Sequence, residues 1–181
     1  MEIKPFIEGN LIDLRPLSEE DVNQNYVDWL NDAEVCRYNS HHVFPYTLEL
    51  AKRYVAEMQT SKSDVALAIV AKDSGRHIGN IALENINPIS RWAEIAIIIG
   101  EKKAWGKGYG TEAMRLMLRH GFMELNLHRI WMGTLSDNIG MQKIAIALGF
   151  TEEGRSRKEE FKDGTFHDVI RYGILRDEFV S

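Results

Sequence analysis

Glu94-Ile95-Ala96-Ile97-Ile98-Ile99-Gly100, followed four residues later by Trp105-Gly106-Lys107-Gly108-Tyr109-Gly110-Thr111-Glu112-Ala113, is the stretch that decides how this chain is read. The β-branched run spells a buried strand. The glycines spell a tight turn, and Glu112-Ala113-Met114-Arg115-Leu116-Met117 spells a helix. Glycine has no Cβ, so backbone amides in such a turn can come close to a bulky anion. The first amides of the following helix lack internal partners, and the helix dipole places partial positive charge there. A helix start of this kind can hold a phosphate or pyrophosphate. The bland competitor is a structural turn with no ligand.

Two nucleotide motifs fit the glycines poorly. A P-loop needs Gly-Lys-Ser/Thr at its end, so that lysine reaches the outer phosphates and the hydroxyl reaches magnesium. Here Lys107 lies between glycines and no such triplet follows. A dinucleotide fingerprint needs Gly-x-Gly-x-x-Gly inside a βαβ unit, but the spacing is Gly106-x-Gly108-x-Gly110 and no βαβ opens the chain.

Trp105-Gly106-Lys107-Gly108-Tyr109-Gly110 resembles a third pattern, the Gln/Arg-x-x-Gly-x-Gly/Ala pyrophosphate loop of the GNAT acetyltransferase superfamily, with tryptophan at the first position. A second motif follows in order. Arg129-Ile130-Trp131-Met132-Gly133-Thr134-Leu135 has strand composition; Ser136-Asp137-Asn138, an amphipathic stretch from Met141 to Leu148, and Gly149-Phe150 come after it. This is similar to the superfamily's Asn-x-x-Ser-x-x-x-Tyr-Glu-Lys-Leu-Gly-Phe, without a gap from Asn138 to Phe150. Met141 replaces the usual serine and Ala145 the usual tyrosine. The segments Glu153-Gly154-Arg155, Lys162 to Asp168 and Arg171 to Leu175 resemble the branch of ribosomal-protein and spermidine N-acetyltransferases. The resemblance covers nearly the whole chain.

The resemblance implies an α/β (α+β) fold, a mixed and largely antiparallel sheet with helices on both faces, in one domain over residues 1–181. It implies that the central strand and Arg129–Leu135 run parallel and splay apart. Acetyl-CoA, as co-substrate, would lie in the gap. The pantetheine arm would partner the backbone of Ile97, Ile98 and Ile99, which the sheet leaves unpaired. The loop residues Trp105, Gly106, Lys107, Gly108, Tyr109, Gly110 and Thr111 would hold the pyrophosphate, and Asn138 would hydrogen-bond the coenzyme. An asparagine there also suits a turn or helix cap. Implied partners are an amine acceptor, either a small molecule or a protein N-terminus, and a second copy in a homodimer; no metal is implied.

Composition narrows the classes. At 181 residues the chain suits one domain with a real core. A net charge of −5 and no Lys/Arg block exclude phosphate-backbone binding of nucleic acid. Met1-Glu2-Ile3-Lys4-Pro5 lacks a signal-peptide core, and no apolar run is long enough to span a membrane. The single cysteine, Cys36, fits a cytoplasmic location and reads as a small buried hydrophobe.

The pattern predicts a strand over 11–17, then a helix capped by Ser18 with Asp21 in capping-box position and an apolar face of Val22, Tyr26, Trp29 and Leu30. A loop spans 37–46, and Thr47 caps a second helix. Strands over 65–71 and 77–83 flank a turn at Asp73-Ser74-Gly75, and a second turn spans 85–90. The central strand covers 92–100 and the longest helix 111–125. Lys162-Asp163-Gly164-Thr165 turns into a closing strand over 169–175. Hairpins first, then strand–helix–strand–helix, make a mixed sheet covered by helices. The Met114, Met117 and Phe122 stripe is core.

Acetyl transfer to an amine asks for a neutral nucleophile, oxyanion stabilisation and departure of a thiolate. Glu94, at the start of the central strand, is the candidate base, with Glu84 in reserve; its competitor is a solvated strand-end charge. With Ala145 at the tyrosine position, Tyr109, Ser136 or Tyr172 are the hydroxyls left to consider as acid, Tyr172 reading more as core. Lys107 and Lys143 are candidate phosphate neighbours. His41 and His42 have no partners that complete a metal site; with Arg37, Tyr38 and Asn39 they are candidates to line an acceptor mouth. The leading reading is an acetyl-CoA-dependent N-acetyltransferase acting by direct attack in a ternary complex. A non-catalytic acyl-CoA sensor is the alternative, and a nucleotide-binding domain the third. The acceptor stays open between a protein N-terminus, a polyamine and another small amine such as an amino sugar.

Overall fold

The computed structural model describes residues 4–180. The opening Met1-Glu2-Ile3, read above for a signal peptide, lies outside the described residues, as does Ser181. Eight strands form one sheet: β1 (Ile7–Glu8), β2 (Ile12–Pro16), β3 (Val65–Ala71), β4 (Arg76–Asn87), β5 (Trp92–Ile99), β6 (Arg129–Leu135), β7 (Thr151–Lys162) and β8 (Thr165–Leu175). Their order is β1-β2-β3-β4-β5-β6-β8-β7. Every neighbour pair is antiparallel except β5 and β6. The mixed, largely antiparallel sheet with one parallel pair is therefore the observed architecture.

Strand alternation assigns the two faces. Ala93, Ile95, Ile97 and Ile99 of β5 join Ile81 and Leu83 of β4 in the main core, under α3 (Tyr109–Met123) and α4 (Ile139–Ala147). Ile98 turns the other way, onto Tyr26, Trp29 and Leu30 of α1 (Gln24–Asn31). On that second face α2 (Leu48–Thr60) buries Ala51 and Val55, and Thr47 accepts from the Leu50 amide as its cap. Met114, Met117 and Phe122 are fully buried on α3, as the stripe predicted.

Four local differences have physical causes. The helix expected from Ser18 is two pieces: a short 3-10 turn over Glu19–Asp21, then α1 with Asn23 as a new cap accepting from the Tyr26 amide at 3.1 Å. The break arises because the Asp21 carboxylate turns inward to Arg15, and Val22 is left extended. The longest helix begins at Tyr109, two residues early, because Gly108 sits at φ +84° and itself caps it. β8 begins at Thr165 rather than 169, since its outer half pairs with β7. β7 and β1 carry no strand signal of their own. β7 is an edge strand exposed on both faces, so its charges show no alternation.

Candidate active site

The β5–β6 ladder pairs Trp92 with Arg129, Ala93 with Ile130 and Glu94 with Trp131, and then stops. Beyond Glu94 the two strands diverge. The odd residues of β5 point their backbone groups at this edge: the Arg91 carbonyl accepts from the Arg129 amide, whereas the Gly100 amide turns to the Ile78 carbonyl on the β4 side. Ile97 and Ile99 therefore face the gap with N–H and C=O, while Ile98 is committed to β4 opposite Asn80. This corrects the expectation of three consecutive free residues; alternation allows only every second one. The Ile99 carbonyl is further taken by the Trp105 indole N–H at 2.8 Å.

The gap opens into a cavity of about 720 Å³. Ile97, Ile98 and Ile99 line it from β5, and Trp105, Gly106, Gly108, Tyr109, Gly110 and Thr111 from the turn and the start of α3. Asn138 lines it from the start of α4. Lys107 is not among the lining residues; its ammonium lies over the Tyr109 ring at 5.9 Å. Of the candidates named for the coenzyme, the two lysines, Lys107 and Lys143, are left outside the lining. The α3 start is free to receive an anion. Glu112, the acidic residue of its first turn, points its carboxylate back to the Asn10 and Leu11 amides and away from the helix axis. A Cβ added at Gly110 would reach toward Ile97, Ile99 and Ile144 at 3.8–3.9 Å, the side on which the cavity lies. A cavity with an amide-rich end and a free strand edge fits a phosphate-bearing chain that carries amides of its own.

Asn138 does two things at once. Its Oδ1 accepts from the Met141 amide at 3.1 Å and caps α4, which leaves its amide N–H groups for the cavity that it also lines. Ala145 is fully buried on the inner side of α4.

A second cavity, of about 350 Å³, adjoins the first and has Ile97, Asn138, Met141, Tyr38 and Asn39 in common with it. Glu94 and Glu84 stand directly opposite each other in its wall, at one register position of β4 and β5. With Glu159 and Glu160 they put four carboxylates in the lining, against the two cations Lys162 and Arg171. Burial raises both facing carboxyls above the usual carboxylate range; Glu84 is raised further by the charges of Glu94 and Asp64, while Arg171 pulls Glu94 back down. Of the two, only Glu94 has a cation opposing the rise, which favours its ionised, basic form over that of Glu84.

A third cavity, of about 330 Å³, continues past Glu84 under α1 and α2, lined by Tyr26, Tyr46, Tyr54 and Asn80. Burial pushes the Tyr54 hydroxyl up to about 12, helped by Glu84. The loop over 37–46 forms the roof: Asn39 and Ser40 line both acidic cavities, and His41 the third. Lys162, at the tip of the β7–β8 hairpin, donates to the Asn39 and His41 carbonyls at 3.0 and 2.6 Å and holds the roof from across the gap. His42 lies in none of the three linings, and Arg37 reaches only the large one. Sequence reasoning weighed Tyr38 and Asn39 only as mouth residues; no local signal shows that they reach the junction.

The hydroxyls weighed as acids separate cleanly. Tyr109 donates outward to Asp73 at 2.8 Å, Ser136 donates to Asp137, and Tyr172 is buried in the main core.

Residues 12–151 match the family described as Acetyltransferase (GNAT) domain. The spermidine N(1)-acetyltransferase of Escherichia coli (strain K12) is 31% identical over 171 residues, 94% of this chain and 89% of that protein. The enzyme of the same name from Vibrio cholerae is 34% identical over 113 residues, 62% of this chain and 65% of that protein. Among solved structures, a spermidine N-acetyltransferase from Vibrio cholerae in complex with CoA and spermine superposes with a TM-score of 0.86 at 25% identity, over 96% of this chain and all of that one.

Proposed function

Because the chain belongs to the GNAT acetyltransferase family and is an acetyl-CoA-dependent N-acetyltransferase, we propose that its acceptor is a small cationic amine of the polyamine kind, with Glu94 as the base. The observation that carries this reading is the pair of facing carboxylates, Glu84 and Glu94, in an acidic cavity that meets the larger one at Ile97. Bound acetyl-CoA supplies an acetyl thioester whose carbonyl carbon accepts the amine. The α3 start and the glycine turn hold the pyrophosphate, and the free edge of Ile97 with the N–H of Ile99 partners the pantetheine amides. Asn138 adds a hydrogen bond from the start of α4, across the gap. Glu94 takes the proton from the incoming ammonium, directly or through one water, and the Ile97 N–H, aimed into the gap, is placed to receive charge developing on the carbonyl oxygen. Glu84, its pKa raised by burial and then by the charges of Glu94 and Asp64, orients the amine.

Spermidine acetyltransferases among the relatives support the polyamine class. The excess of acidic lining residues supports a cation over a neutral amine. A panel of acceptors with thiol detection tests the proposal. Release of CoA with spermidine or spermine, well above that with N-terminal peptides or an amino sugar, is expected; preference for the peptides would move the acceptor to a protein N-terminus. The proposal includes a cytoplasmic location, in keeping with the lone buried Cys36. It also includes a homodimer, suggested by the exposed Phe161–Phe166 pair at the β7–β8 tip and measurable by sedimentation equilibrium.

Two binding predictions arise from the cradle. Gly108→Val is expected to weaken acetyl-CoA more than tenfold, about 1.4 kcal/mol. The cause is backbone conformation: at φ +84° a β-branched residue is strained, whereas its Cβ would meet only Leu11 at an ordinary 3.6 Å. Calorimetric titration of a folded variant with unchanged affinity would remove the cradle assignment. Asn138→Ala is expected to weaken the coenzyme by about 1–2 kcal/mol, with a smaller loss of melting temperature from the α4 cap. Lost stability with intact affinity would leave Asn138 as a cap alone.

A further inference from the structure

The site described so far has a base and no acid. The family motif carries a tyrosine where this chain has Ala145, and that position is sealed in the core. The hydroxyls of Tyr109, Ser136 and Tyr172 are directed elsewhere or buried. Five residues are common to the large cavity and the cavity that holds Glu94: Tyr38, Asn39, Ile97, Asn138 and Met141. A thioester carried in the first and attacked from the second has to sit where the two meet. Of those five side chains only Tyr38 carries a hydroxyl, or any proton acidic enough to be given to a thiolate. It comes from the loop over 37–46, on the acceptor side of the gap, and not from α4.

We propose that the Tyr38 hydroxyl protonates the departing sulfur, in the role that the missing α4 tyrosine leaves vacant. The proposal rests on the acetyltransferase reading above. As the amide carbonyl re-forms, the carbon–sulfur bond breaks and its electron pair goes to sulfur. The Tyr38 O–H bond breaks in the same step and its proton joins the sulfur. The phenolate left behind takes a proton from water, which reaches it because Tyr38 is 37% exposed. Glu94 takes the first proton from the ammonium and passes it to water, then takes the second from the nitrogen of the tetrahedral adduct as the carbonyl re-forms. With Tyr38 reprotonated from solvent, ammonium and thioester become amide, thiol and one proton released to water.

A thiol has a pKa of roughly 8.5, so leaving unprotonated at pH 7 forfeits about 30-fold in rate. Tyr38→Phe is therefore expected to lower the single-turnover rate constant about 30-fold at pH 7, and the gap should close only in the alkaline range, near pH 10, in which a phenol ionises and the parent loses its proton donor too. Acetyl-CoA affinity by calorimetry should stay within about twofold of the parent. The charged groups around the junction are Glu34 and Arg37 from the loop's own segment, Glu84 and Glu94 from β4 and β5, and Glu159, Glu160, Lys162 and Arg171 from the hairpin. They are common to parent and variant, so the ratio of the two profiles isolates Tyr38. A second readout needs no acceptor. The thiol of bound CoA, titrated by its thiolate absorbance, should ionise at higher pH in Tyr38→Phe, because a hydroxyl donated to the thiolate is lost. A parent that turns over no amine, yet shows this shift, would sink the acceptor proposal and keep Tyr38. An unshifted thiol, or a rate loss equal at every pH, would make Tyr38 a packing residue and overturn the inference.

Discussion

Glu94→Gln is expected to lower kcat/KM at neutral pH by about 10²–10³-fold with a polyamine acceptor, while acetyl-CoA affinity stays nearly unchanged. Glutamine keeps the volume and removes only the ability to take a proton. The effect should depend on the acceptor. A lysine-like amine with a pKa of roughly 10.4 costs about 4–5 kcal/mol to present neutral at pH 7, whereas an α-amine at roughly 7.7–8.0 costs about 1. The loss with an α-amine should therefore be smaller, by a margin of up to about 3 kcal/mol. It should also shrink as pH rises toward the amine's own pKa, where solvent does the deprotonation. On the acid side, burial holds the Glu94 carboxyl above the usual carboxylate range, with Arg171 opposing. The parent's activity should accordingly fall as pH drops through that raised pKa, and this limb should be absent from the glutamine variant. Parallel profiles with no gap at low pH would make Glu94 structural and pass the proton to Glu84 or a water chain.

The parts of this site that could be read in the sequence are those with a strong local signal. The β-branched run of β5, the glycine turn, the Arg129–Leu135 strand and the Asn138 to Phe150 spacing each declare themselves within a few residues, and the structure sets them around one gap. Turn chemistry at Asp73-Ser74-Gly75 and Lys162-Asp163-Gly164-Thr165 was equally legible, because the positive φ at Gly75, Asp163 and Gly164 suits glycine and aspartate. What stayed hidden depends on register and on long-range packing. Glu84 and Glu94 face each other only because β4 and β5 pair at that offset, which a bulge between Glu84 and Asn87 adjusts. Tyr38 and Lys162 are far apart in sequence, and only the assembled sheet brings the loop over 37–46 beneath the β7–β8 hairpin. The split of the first helix illustrates a different limit. Ser18 and Asp21 spell a capping box, but Asp21 was also wanted by Arg15 and His77, and a sequence window shows the first demand and not the second.

Asp21→Ala is expected to destabilise the fold by about 3–5 kcal/mol, the usual cost of leaving one half of a buried ion pair behind. Asp21 is only 5% exposed and its side chain serves several partners. Arg15 grips it in a two-pronged contact, one prong at 2.7 Å; the Ser18 amide donates to it at 2.8 Å; and His77 Nδ1 lies 3.4 Å away. Alanine satisfies none of them, and the Arg15 guanidinium is left largely shielded from water. For a chain of this length each kcal/mol shifts the melting temperature by about 2–4 °C, so a drop of roughly 10 °C should be seen by calorimetry. The pH dependence supplies an independent sign. Burial alone would raise the Asp21 pKa, but the Arg15 and Ser18 hydrogen bonds and the charges of His77 and Arg15 outweigh it, and the pKa lies below the usual carboxylate range. Its contribution is therefore complete above the unfolded carboxyl's pKa of roughly 3.9 and is lost as pH falls through the lower folded value. The stability gap between parent and variant should close only in that acid range. Replacing both charged partners by apolar residues should recover much of the loss, because the penalty comes from the orphaned charge. If Asp21→Ala melts within about 2 °C of the parent, the ion pair is neutral to folding, and the junction of β2 with α1 is held by the packing of Leu17, Val22 and Val55.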